Sequence, residues 1–100
     1  MNNGRYVLDD RGEPLPCEDL LTWAAQFERQ NRSVARDVIG ETTVSTIFLG
    51  LDHSFDGGAP VLWETCVFKG PLNGEMDRYT SRAAALAGHA AMVAKVRALA

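Results

Sequence analysis

The sequence predicts an α+β fold: a two-layer sandwich in which a mostly antiparallel sheet of four to five strands carries two helices on one face. Three observations lead there. Two stretches place apolar residues at helical spacing, and several others are short, rich in β-branched and aromatic residues and bounded by turn formers. Their order is hairpin, helix, three or four strands, helix, which favours antiparallel neighbours over crossovers. The chain has 100 residues, 46% of them apolar, enough for one domain spanning 1–100 that needs neither disulfides nor a metal to hold its core.

Arg5 to Leu8 is short and apolar. The Asp9-Asp10-Arg11-Gly12 turn that follows has acids at its opening and a glycine suited to positive φ, so a hairpin is expected, with an irregular return arm from Glu13 to Pro16 because two prolines cannot donate to a ladder. Glu18 and Asp19 then put negative charge where a first helical turn favours it, with Cys17 as the expected cap. Leu20, Trp23, Ala24 and Phe27 line one face of this helix, which ends near Asn31. Val34 to Ile39 and Thr42 to Leu51 read as strands joined by Gly40-Glu41, and Val61 to Lys69 as the next strand after a loop from Asp52 to Pro60. Setting Leu51 opposite Val61 pairs Leu49 with Trp63, Ile47 with Thr65 and Ser45 with Val67, and these are expected to face the core. A one-residue slip would invert that assignment. Arg78-Tyr79 suggests a short edge strand, and Thr80 or Ser81 caps a last helix to Leu99, whose stripe is Ala85, His89, Met92, Val96 and Leu99.

Ten Lys and Arg against thirteen Asp and Glu give a net charge of −3, which leaves no surplus to replace counterions on a nucleic acid; a basic protein surface is the better partner. Cys17 and Cys66 lie 49 positions apart and read as reduced thiols. The N-terminus has no apolar core of a signal peptide, and the longest apolar run, Ile47 to Leu51, falls far short of the ~20 residues that cross a bilayer. A soluble, cytoplasmic protein without membrane contact is therefore expected.

No catalytic constellation stands out. Asp52, Ser54, Asp56 and Gly57 match the start of a calcium loop, but Trp63 occupies the position of the bidentate glutamate, so no metal and no cofactor are expected. Neither cysteine has a histidine near it in sequence, and Cys66 reads as a small strand hydrophobe. His89 on its apolar stripe reads as a packed, hydrogen-bonded histidine at the helix–sheet boundary. The best candidate is a binding surface at the hairpin tip: Phe55 as an aromatic anchor between Asp52 and Asp56, with His53, Trp63 and Glu64 nearby. The alternative from another class is a small ligand- or metal-binding domain or enzyme centred on Asp52, His53 and Glu64.

The stretch VSTIFLGLDH, with Glu64-Thr65, Arg78-Tyr79 and Gly88-His89, resembles a family of small bacteriophage, prophage and bacterial proteins. The resemblance extends to the early YVLDDRGEPLPC segment and departs slightly at Thr65-Cys66-Val67 and Lys69. No catalytic or binding residues are established in that family, so none carries over. What the resemblance implies is an accessory protein that binds a host protein, such as an immune effector, in the manner of anti-CRISPR inhibitors. Self-association, as a homodimer or as a subunit of a phage particle, is the other expectation.

Overall fold

A computed structural model describes residues 4–55 and 57–99. β1 (Tyr6–Leu8) and β2 (Pro14–Pro16) form an antiparallel hairpin, and α1 (Leu20–Arg29) follows it. Then β3 (Ser33–Ile39), β4 (Thr42–Phe48), β5 (Trp63–Phe68) and β6 (Met76–Tyr79) make a four-stranded antiparallel meander in chain order, before α2 (Arg82–Ala98). This is the α+β architecture read from the sequence, with α2 packed across all four strands. The first hairpin is a sheet of its own, and α1, placed by the sequence reading beside α2, packs on β1.

The hairpin and α1 are joined through backbone groups. Asp9 closes the turn by accepting from the amides of Arg11 (2.8 Å) and Glu13 (2.9 Å). The Gln30 carboxamide pairs with Leu8 as a neighbouring strand would, donating to its carbonyl (2.8 Å) and accepting from its amide (3.3 Å). Trp23 Nε1 donates to the carbonyls of Tyr6 and Gly50, each at 3.1 Å. Gly50 has φ +76°, and a β-carbon there would lie 2.9 Å from the Phe27 ring, so β4 stops short of Leu51 and the chain turns under α1. The cap of α1 is Asp19 rather than Cys17: its carboxylate accepts from the Thr22 amide at 3.0 Å. Glu18 and Asp19 therefore precede the first turn.

The β4–β5 pairing corrects the expected register by one residue. Phe48 faces Trp63, Thr46 faces Thr65 and Val44 faces Val67. On β5 the core face is the expected one, Trp63, Thr65 and Val67, but on β4 it is Thr42, Val44, Thr46 and Phe48, while Ser45 and Ile47 point away. Period-two alternation means that a single slip exchanges the two faces of one strand.

Two apolar clusters fill the space between sheet and α2. Tyr6, Phe48, Leu62, Trp63 and Ala85 form one; Val44, Val67, Met92 and Val96 form the other. Between them runs a buried polar layer, made by the residues that lie between cluster members on each element: Thr46, Thr65 and His89. Tyr79 Oη donates to Thr65 Oγ1 (3.0 Å), the two threonine hydroxyls are 2.5 Å apart, Thr46 Oγ1 meets His89 Nδ1 at 2.7 Å, and His89 Nε2 meets Asp37 Oδ2 at 2.7 Å. A carboxylate only accepts, so His89 Nε2 carries the hydrogen donated to Asp37, and the three hydroxyls link Tyr79 to the other ring nitrogen.

Candidate functional site

The 52–60 loop is held at its stem by its own backbone and by Asp52. The Leu49 amide donates to Leu62 (2.7 Å) and that of His53 to Val61 (3.0 Å), while Arg5 and Leu51 form an isolated bridge from the first hairpin. Asp52 Oδ1 accepts from the amides of Ser54 (2.8 Å) and Val61 (2.9 Å). Burial pushes this carboxyl up, but those amides, the Ser54 hydroxyl and nearby His53 outweigh it and hold the group below its ordinary value. Asp52 thus spends its charge inside the loop.

His53 Nδ1 lies 2.8 Å from the Leu51 carbonyl. A carbonyl only accepts, so Nδ1 carries a proton and donates it to Leu51. With Phe55, Val61, Arg78 and Thr80 it lines an open cleft of about 420 Å³. Phe55 rises beside it with 96% of its surface exposed.

On the outer face of the sheet Glu64 accepts from Arg78 Nε (2.9 Å) through one oxygen and from the Cys66 thiol (3.1 Å) through the other. Burial raises the Glu64 carboxyl, yet these two bonds and the charges of Arg78 and His53 bring it below its ordinary value. The same burial and the adjacent Glu64 push the Cys66 thiol up to about 11. A thiol so placed is a poor nucleophile near neutral pH.

Of the residues singled out by sequence, the structure brings His53 and Phe55 onto one cleft, with Glu64 joined to it through Arg78. Asp52 braces the stem. Trp63 corrects the expected surface: it is 1% exposed on the opposite, core face, its ring centroid 5.7 Å from that of Phe48. Asp56 lies outside the described residues. Among the described residues, no three of His, Cys, Asp and Glu converge as a cation site, and no helix is long and apolar enough to cross a membrane.

Sequence reasoning missed two residues of note. Arg78 was legible only as a strand residue, although its register opposite Glu64 follows once β6 is paired with β5. Asp37 reads as half of a charged pair in β3, and nothing in the local pattern joins it to His89, 52 positions later. The comparisons add no relative to this geometry: no protein-family model, curated protein or solved structure matches the chain.

Proposed function

We propose that this protein acts by binding another protein, with the 52–60 loop as the contact and Phe55 as the anchor. The observation that carries this reading is the exposure of Phe55 on a loop with a braced stem. A phenylalanine ring in water contributes nothing to the core, whereas aromatic side chains inserted into a partner's pocket dominate interface energies. A stem already fixed by hydrogen bonds reduces the ordering cost of association. The cleft beside the ring supplies a matching recess, with Arg78, His53 and Thr80 around Val61 and Ala59.

The net charge of −3 favours a protein over a nucleic acid as partner. The resemblance to phage and prophage proteins directs the search to host proteins, with obstruction of a defence effector as the form of action. The alternative centre of Asp52, His53 and Glu64 has less to offer a ligand, because both Glu64 oxygens and Asp52 Oδ1 already accept internal hydrogen bonds.

The test is capture from bacterial lysate with the tagged protein, identification by mass spectrometry, and titration of the purified partner against wild type and Phe55→Ala. The variant should lose about 2 kcal/mol of binding, roughly 30-fold in Kd, with its melting temperature unchanged. Undiminished affinity in Phe55→Ala would overturn the reading.

A further inference from the structure

A second cleft lies between β3 and the C-terminal half of α2, lined by Asp37, His89, Ala90, Val93, Ala94 and Arg97, with a volume of about 390 Å³. It shares no lining residue with the cleft beside Phe55. Its floor is aliphatic, and its walls carry one charge of each sign.

The acidic wall is the better fixed. His89 is 5% exposed and donates from Nε2 to Asp37 Oδ2, while Nδ1 is held by Thr46 at the head of the buried hydroxyl chain. With both ring nitrogens held, the buried imidazole fixes the orientation of the carboxylate. One Asp37 oxygen is occupied; no hydrogen bond from a described residue reaches the other, and the side chain is 47% exposed. Arg97, on the last turn of α2, makes no ion pair with Asp37 or with any other described residue. Two opposite charges that face one cleft and do not close on each other leave room for a molecule carrying both.

We propose that this cleft binds a small zwitterion with an aliphatic body, of the amino-acid or short-peptide class. The ammonium group sits on the free oxygen of Asp37, the carboxylate on the Arg97 guanidinium, whose planar fork suits it, and the aliphatic part on Ala90, Val93 and Ala94. The volume falls in the range of small-ligand sites. Asp37 is a positioned binding group, and His89 acts on the ligand only through it.

The experiment is an NMR titration of the full chain with L-leucine and L-alanyl-L-leucine, compared with leucinamide, which lacks the anion, and N-acetyl-leucine, which lacks the cation. The expected result is saturable shifts of the Ala90, Val93, Ala94 and His89 signals by at least one zwitterion, with a Kd of about 1 mM or tighter. The two singly charged probes, and the variants Asp37→Asn and Arg97→Gln, should each weaken binding by at least about ten-fold. Asp37→Asn keeps an acceptor for His89 and Arg97 is exposed, so both variants should melt close to wild type. Ala94→Phe, from an exposed helix position, should fill the cleft and abolish the shifts, while Phe55→Ala should leave them intact. The proposal is overturned if neither zwitterion saturates, if either singly charged probe matches them, or if binding survives in both charge variants.

Discussion

Gly88 interrupts an otherwise alanine-rich stretch of α2 because the Tyr79 side chain occupies the place of its missing β-carbon: a carbon built there would lie 2.3 Å from the ring. Gly88→Ala should therefore destabilise the protein by about 1–3 kcal/mol through overpacking, although alanine is the better helix former. In a Tyr79→Leu background the penalty should shrink, a coupling that a double-mutant cycle of thermal melts measures. Cys66 gives a second check at this scale. With its thiol pushed to about 11 against an ordinary value of 9.0, its thiolate fraction near neutral pH falls roughly a hundred-fold, and alkylation followed by mass spectrometry should label it correspondingly slowly. Glu64 sets a pH dependence. Its carboxyl is held below 4.5 in the folded chain, so the stability it contributes is present above that value and is lost as the pH falls through the lower folded one. Melts taken from about pH 7 to about pH 3 should show a shallower acid decline for Glu64→Gln than for wild type.

Among the elements, β4 and β5 show what local pattern could and could not say. Both strands, their hairpin and α2 with its Ala85, His89, Met92 and Val96 stripe were readable, because each follows from periodicity and turn residues; Leu99, expected on the same stripe, caps the helix and is 55% exposed. The register was not. Pairing by hydrophobicity alone treats Thr46 as a surface residue and Ile47 as core, whereas the structure buries the threonine to meet Thr65 and His89. A hydroxyl whose partners lie 19 and 43 positions away leaves no trace in a local window. The polar layer then acts as a register key, since a slip by one residue would strand its donors in an apolar core. Thr46→Val, nearly isosteric, should cost about 1–3 kcal/mol because it removes the partner of His89 Nδ1 and one of the two partners of the Thr65 hydroxyl. Replacing the layer as a whole, by Thr46→Val, Thr65→Val and His89→Leu, should recover much of that loss in denaturant melts while weakening the preference for one register. The candidate site was legible for a simpler reason: Phe55 and His53 sit among turn formers, where an aromatic residue has no periodic core to join.

The whole molecule is longer than a sphere of its size, with extents of 45 × 29 × 21 Å and a Cα radius of gyration of 14.5 Å, against about 13 Å for a compact chain of 100 residues. α1 accounts for part of this surface: none of its residues is fully buried, and Leu21 is 80% exposed. The outer face of the larger sheet adds Val38, Phe68 and Met76, each at least half exposed. If the 52–60 loop is the working surface, sedimentation should find a 10.9 kDa monomer and X-ray scattering an elongated one. A stable dimer would instead assign one of these apolar faces to a second copy. The two tryptophans happen to divide the molecule between them. Trp23 shares its indole proton between the carbonyls of Tyr6 and Gly50 under α1, whereas Trp63 is sealed in the core with no acceptor for its own among the described residues. The chain thus carries two fluorophores in unlike surroundings. In Trp23→Phe the remaining emission, blue and hard to quench, follows the core between the sheet and α2, to which Tyr6 of the hairpin contributes; in Trp63→Phe the signal follows the seat of α1 on the hairpin. Whether the two halves melt together can be seen by their light, without any added label.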